Sequence, residues 1–244
     1  MSIRKTIATA SRVLIQLRHD PRTLALVFIV PPILLVILKY VFQGERGVFD
    51  HVAPMLLGVM PMIMMFLITS IVTLRERRSG TLDRLMTMPI SKLDFIFGYA
   101  IAFCLVGLLQ ALISGGVMLG LLRVTVLGGS IHTMITAVLA AFLGTALGLF
   151  TSAFARSEFQ AIQFLPAFIF PQLFTCGLFA ARSDMAKWLR WISDIFPLTY
   201  SVDAMKQVTL HAPWTGTLSK DLIIVAAFAL VTLIMGSATI RRQE

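Results

Sequence analysis

Six apolar runs, at about residues 24–43, 53–74, 95–122, 134–155, 159–181 and 221–238, dominate the chain. Each is near the roughly 20 residues that a helix needs to cross a hydrocarbon core of about 30 Å. A bilayer interior offers the backbone no water, so the N–H and C=O groups of such a run must be satisfied within its own helix. This constraint predicts an all-α integral membrane fold with six transmembrane helices in a single transmembrane domain over residues 1–244. The composition agrees, with 57% of residues hydrophobic, 14% charged and a mean hydropathy of +0.87, well outside ordinary soluble domains.

A net charge of +9 and a pI near 10.3 also occur in nucleic-acid-binding proteins, but here the basic residues follow an orientation pattern. With the N-terminus in the cytosol, 13 of the 21 Lys and Arg residues fall on the inner side. They are Arg4, Lys5, Arg12, Arg18 and Arg22, then Arg75, Arg77, Arg78, Arg84 and Lys92, then Arg156, Arg241 and Arg242. Lys39, Arg46 and Arg123 fall outside, as do Arg182, Lys187, Arg190, Lys206 and Lys220 in one long segment. Excess basic charge in short inner loops predicts both termini in the cytosol and an even number of spans, as in a multi-pass protein of the bacterial cell (inner) membrane, with no nucleic acid among its partners. The first apolar run continues through Val41 to Gly44 without a small-x-small cleavage site and is expected to be retained. Cys104 and Cys176 both lie in apolar runs and read as small packing residues.

Ahead of the first span, Ile3, Ile7, Ala10, Leu14 and Leu17 recur at helical spacing, which predicts an interfacial amphipathic helix over residues 1–22. Its apolar stripe is expected to sink into the headgroup boundary while its basic residues meet anionic membrane lipid. Between spans five and six, Met185, Trp188, Leu189, Ile192 and Ile195 predict one short helix, and Leu198, Val202, Met205 and Thr209 after Pro197 predict another. At roughly 16 to 20 Å each, this outer helix pair (183–210) is too short to cross the core. Trp188, Trp191 and Tyr200 suit the membrane boundary. Two rows of small residues, Ala140, Gly144 and Gly148 and then Gly116 and Gly120, predict close helix packing. Pro31, Pro32, Pro61, Pro166 and Pro171 are expected to kink or loosen spans one, two and five.

The elbow at residues 75–94, between spans two and three, carries the most specific pattern. Thr81 is a suitable helix N-cap, and Asp83 suits the positive end of the helix dipole. Leu82, Leu85 and Met86 then share one face, Pro89 follows the helix, and Ser91 with Asp94 forms a capping box that opens span three. The result is a short cytosolic helix with an apolar ridge ringed by charge, a shape suited to a groove on a partner protein.

The stretch RERRSGTLDRLMTMPIS from Arg75 resembles the coupling segment of ABC-2 type permeases, the ABC transporter permeases of the second exporter type, in which E-x-x-x-G-T-L-(D/E)-x-L-x-x-x-P recurs. FPLTYSVDAMKQV, from Phe196 to Val208, resembles that family's N-P-L-T-Y-x-V-D-A-x-R segment, with Phe196 in place of Asn and Lys206 in place of Arg. The resemblance covers the whole chain. It implies a cytosolic coupling helix, an outer re-entrant helix pair before the last span with Pro197, Leu198, Tyr200 and Asp203 in its motif, and a permease that pairs as a homodimer or with a paralogue as a heterodimer. It also implies a separate cytosolic ABC ATPase subunit docked on Glu76, Gly80, Thr81, Leu82, Asp83, Leu85, Met86 and Pro89.

No phosphate-cradling G-x-x-x-x-G-K-(S/T) occurs in the sequence, so ATP and Mg are expected in the partner and this chain is not itself an enzyme. His19, His51, His132 and His211 show no metal-ligand spacing. All 12 carboxylates lie outside the apolar runs or at their edges. An ion-coupled secondary carrier or an intramembrane hydrolase needs ionisable groups at membrane depth, so both classes are disfavoured. A non-transporting sensor or anchor remains an alternative. Span five offers Gln163, Phe164, Phe168 and Gln172 as candidates for a substrate path, against the plainer reading of lipid-facing rings and helix-bonded amides. An uncharged path favours an apolar or amphiphilic cargo such as a drug, antibiotic or lipid. Polysaccharide or glycolipid export is the alternative, and the wording of the elbow looks most like drug exporters.

Overall fold

Apolar runs that must satisfy their own backbones become helices, and among the described residues every regular element is helical. The structure is a computed structural model that describes residues 2–44, 47–80, 91–211 and 214–239. In chain order the elements are α1 (Ile3–Arg18), α2 (Pro21–Val41), α3 (Val48–Arg78) and α4 (Lys92–Gly116), which a π-helical turn (Val117–Leu121) extends. There follow α5 (Ser130–Ser152), α6 (Glu158–Phe164), a second π-helical turn (Leu165–Ile169) and α7 (Phe170–Thr175). After a 3₁₀ turn (Arg182–Asp184) come α8 (Lys187–Ile195), α9 (Pro197–Leu210) and α10 (Gly216–Thr239).

Among the described residues five helices are long and apolar enough to cross a membrane: Pro21–Val41, Val48–Arg78, Leu93–Leu121, Ser130–Ser152 and Gly216–Gly236. The run expected as span five is helical only from Glu158 to Thr175, and in three pieces. Pro166 lies in the π turn and Pro171 at the start of α7. Each lacks an N–H for the ladder. The chain then leaves helical geometry at Gly177, whose φ of +86° is left-handed. By contrast α2 runs unbroken through Pro31 and Pro32, and α3 through Pro54 and Pro61. At 31 residues, α3 extends about 46 Å, so its end bearing Arg75, Arg77 and Arg78 projects beyond an apolar layer of about 30 Å.

The most extensive helix–helix contact among the described residues is that of α3 with α5, and glycine sets their approach. A Cβ on Gly144 would lie 2.1 Å from the Met62 carbonyl oxygen, and one on Gly148 would lie 2.7 Å from that of Phe66. Backbone therefore meets backbone along the predicted Ala140–Gly144–Gly148 row. The other predicted row does not pack: Gly116 and Gly120 meet nothing within 4 Å. The π turn at Val117–Leu121 widens the helix there, so residues four apart no longer share one face. On α4, Gly107 and Gly115 fit against Ala141 and Met134 of α5 instead.

The stripe predicted on α1 is divided. Ala10 and Leu17 are buried with Val13, Thr6 and Thr9, whereas Ile3 and Ile7, together with Ile15, are exposed. The helix has a protein side as well as an outward apolar side because Gly98 of α4 admits it closely: a Cβ there would come 2.6 Å from Thr9 Cβ. The hydroxyls that this burial encloses are satisfied locally, Thr9 Oγ1 donating to Lys5 O at 3.0 Å. At the far end of the bundle α9 is inserted against α3, with Leu198, Val202, Met205 and Val208 buried and Ser201 Oγ donating to Gly58 O at 3.0 Å. α8 lies outside it, with Trp188, Trp191 and Ile195 exposed.

Gly144→Ala is expected to destabilise the protein by about 3 kcal/mol or more, since the methyl meets backbone that cannot step aside. Gly120→Ala, which meets open space, should leave stability unchanged or slightly raised. Thermal denaturation of the two variants in detergent checks this, and equal midpoints would remove the α3–α5 contact from the fold.

Candidate functional site

The elbow's described flanks are built from three helix ends. Gly80, with φ +71°, lies just past the C-cap Ser79 of α3, the left-handed position that favours glycine. The glycine of the motif thus has a local reason: it turns the chain out of α3. On the other flank Ser91 caps α4, its Oγ accepting from Asp94 N–H at 3.0 Å while Asp94 Oδ2 accepts from Ser91 N–H at 3.2 Å. This is the capping box expected from the sequence. Thr81, Leu82, Asp83, Leu85, Met86 and Pro89 lie outside the described residues.

Each flank is bound to α1. At the α3 end Glu76 is 6% exposed. It takes a two-pronged grip from Arg12, with Nη1 to Oε1 at 3.1 Å and Nη2 to Oε2 at 3.0 Å. Arg12 Nη2 also donates to Tyr99 Oη of α4 at 2.8 Å, and its guanidinium carbon lies 5.8 Å from the Tyr99 ring centre. A fork of this kind is specific to arginine facing a carboxylate. At the α4 end, Asp94 Oδ1 accepts from Ser2 N–H at 2.7 Å and from Thr6 Oγ1 at 3.4 Å. The amphipathic helix therefore holds both roots of the elbow at once. Glu76, which the resemblance assigns to the docking element, is turned inward and engaged with Arg12.

The arginines around Glu76 tie the same end to the rest of the bundle. Arg75 Nε and Nη2 donate to Glu158 at 2.8 and 3.0 Å, and Arg75 Nη1 lies 3.8 Å from Asp20 Oδ2. Arg77 donates to the carbonyls of Ala153, at 2.7 Å, and Ala155 in the turn after α5. The Arg75 hydrogen bond holds the Glu158 carboxyl below its ordinary pKa. The Thr23 hydroxyl and N–H do the same for Asp20, the N-cap of α2, with Arg75 adding to the effect. Arg75 and Glu158 keep 51% and 45% of their side chains exposed, so water screens that pair. The Arg12–Glu76 pair keeps only 28% and 8%. Removing one partner of a buried pair strands the other charge and typically costs about 3–5 kcal/mol.

The span-five candidates separate. Gln163 and Phe168 are exposed, and Phe164 is half-buried against Leu74 and Ala161. Gln172 is buried at 5% exposure, donating to Phe168 O at 2.8 Å and accepting from Leu198 N–H at 3.4 Å. That second bond bears on Phe196, the N-cap of α9, which makes no side-chain cap. A first-turn N–H of α9 is instead taken by an amide from α7. In the outer motif Pro197 starts α9, Leu198 is buried, Tyr200 Oη donates to Asp194 O at 2.7 Å, and Asp203 Oδ2 receives Arg182 Nη1 at 2.7 Å. Sequence reasoning missed Arg12, Tyr99 and Arg182 as partners. The one available signal was Glu76, a lone acid within the basic run Arg75–Arg78.

Residues 4–210 match the family model of ABC-2 type transporters. Similar proteins include "ABC transporter G family member 20" of Dictyostelium discoideum, 27% identical over 161 residues, which are 66% of this chain and 22% of that protein. "Probable multidrug ABC transporter permease YbhR" of Escherichia coli (strain K12) is 26% identical over 159 residues, 65% of this chain and 43% of that one. "Probable multidrug ABC transporter permease YbhS" of the same strain is 22% identical over 205 residues, 84% of this chain and 53% of that one. The chain thus spans about half or less of the length of these curated relatives. With most of its length under the family model, five apolar helices of spanning length, and the two motif segments inside the matched region, the chain belongs to the ABC-2 type transporter family.

Proposed function

We propose that this chain is the transmembrane subunit of an ATP-driven ABC exporter that moves an apolar or amphiphilic compound out of the cell. A separate cytosolic ATPase subunit supplies ATP hydrolysis with Mg, and this chain is a permease, not an enzyme. The multidrug names of the two similar permeases support the drug-like end of the substrate range. In this reading the broken helix from Glu158 to Thr175 completes six spans, both termini face the cytosol of a bacterial cell, and two permease subunits pair as a homodimer or heterodimer. α8 and α9 form the outer re-entrant pair.

The single observation that carries the proposal is that α1 grips both roots of the elbow, through Arg12–Glu76 at one and Ser2–Asp94 at the other. A ligand shifts an equilibrium only by its differential affinity for the two states, so closure of the ATPase must move something held stiffly to the spans. With both roots bonded to α1, a push on the elbow would displace α1, α3 and α4 together. Leu82, Leu85 and Met86, flanked by Thr81, Asp83 and Pro89, would seat in the ATPase groove, Gly80 would set the angle of the elbow, and Glu76 would transmit rather than dock. Gln163 and Phe168 remain proposed lining of the substrate path.

Leu82→Asp or Leu85→Asp should abolish copurification of the cytosolic ATPase while membrane insertion persists, and unchanged copurification of both variants would sink the docking reading. Glu76→Arg should leave the ATPase bound yet lower ATP-dependent uptake into inverted vesicles by about tenfold or more, because it strands Arg12. The double variant with Arg12→Glu should recover a large part of that loss. Full uptake by the single variant would show that the buried pair does not transmit.

A further inference from the structure

At the end of the bundle opposite the elbow, a cavity of about 750 Å³ lies between α9 and the start of α10. Its charges are unevenly matched. Arg182 reaches Asp203 at 2.7 Å and also pairs with Asp194. Lys206 donates to Gly177 O at 2.9 Å and lies 3.6 Å from Asp203. Asp203 and Asp194 are thereby held. Asp221 is not: it lines the same cavity at 7% exposure, and its carboxylate makes no hydrogen bond or ion pair to any described residue.

Helix capping does not explain that carboxylate. The start of α10 is served by Thr215, whose Oγ1 accepts from Leu218 N–H at 3.1 Å, and Asp221 sits beyond the first four free N–H groups of a helix beginning at Gly216. Lys220 lines the cavity too, but it is exposed and comes no nearer than 4 Å to the carboxylate. With no side-chain partner among the described residues, that carboxylate is open to a cation from outside the chain. The space far exceeds a single ion, and no group of three metal-ligating side chains exists among the described residues. Tyr200 also lines the cavity, and an aromatic ring can receive an organic cation.

We propose that this cavity binds an alkylammonium group, with Asp221 as its counter-ion, Tyr200 as its aromatic wall, and Arg182 holding Asp203 and Asp194 in place behind it. Such a group is carried either by an amine-bearing lipid headgroup or by a free cationic amphiphile. The site stands on its own residues and does not depend on the export reading.

The test is calorimetric titration of the purified chain, in an uncharged maltoside detergent, with dodecyltrimethylammonium. The wild type should show one saturable site above partition into empty micelles. Asp221→Asn should weaken it by about tenfold or more, and Lys220→Gln, which removes a like charge from the cavity, should tighten it several-fold. Preloading with phosphatidylethanolamine lowers the probe's affinity if a lipid headgroup is the natural occupant, whereas preloading with phosphatidylglycerol does not. Equal preloading effects alongside intact probe binding assign the site to free amphiphiles. Unchanged affinity in Asp221→Asn overturns the proposal. Should that variant elute aggregated, Lys220→Gln, altered only at an exposed residue, decides: no tightening overturns the proposal equally.

Discussion

The rest of the molecule hangs on the backbone contact between α3 and α5. In an apolar solvent helices gain nothing by hiding oil from oil, so their association rests on how closely their surfaces fit. Gly144 and Gly148 let α5 lie directly on the carbonyls of Met62 and Phe66. That makes α3 a fixed post, and each end of the post holds one polar assembly. At one end Glu76, Arg75 and Arg77 reach α1, α6 and the turn after α5. At the other, Gly58 receives Ser201 and seats α9. Were the α3–α5 fit loose, neither assembly would have a stable reference.

The polar chemistry is arranged by depth. Ion pairs with much water around them, such as Arg75–Glu158, lend little binding energy but fix which ends lie together. The enclosed pair Arg12–Glu76 is different in kind, because the Tyr99 hydroxyl and ring add to the fork and the site excludes most water. A low local dielectric strengthens such a cluster when every partner is present and penalises it when one is missing. Such a joint, gripped by a fork and a tyrosine hydroxyl, suits a part proposed to pass on displacement.

Much of this was legible in the sequence. Apolar runs of spanning length gave the helices, because the backbone requirement in a membrane leaves few other solutions. The Ser91–Asp94 box was readable because capping is local, decided within four residues. What was not readable depended on distant partners. Arg12 looked like any basic residue bound for lipid, and only its meeting with Glu76, 64 positions away, makes it structural. The division of the α1 stripe needed Gly98 on another helix. The idle Gly116–Gly120 row and the breaks of the fifth run needed π turns, for which sequence carries little sign beyond Pro166 and Pro171. The elbow's leucine ridge, Leu82 and Leu85, lies outside the described residues, so its role stays with the motif.

The outward isoleucines of α1 bear on mechanics of another sort. Ile3, Ile7 and Ile15 face away from the protein while Ala10, Val13 and Leu17 are fixed to it. In the proposed seating at the headgroup boundary, such a helix would occupy area in a single leaflet. Any displacement of the joint it forms with Glu76 and Asp94 would then do work against that leaflet's lateral pressure, so acyl-chain packing and curvature would enter the energy of the motion alongside the protein's own bonds.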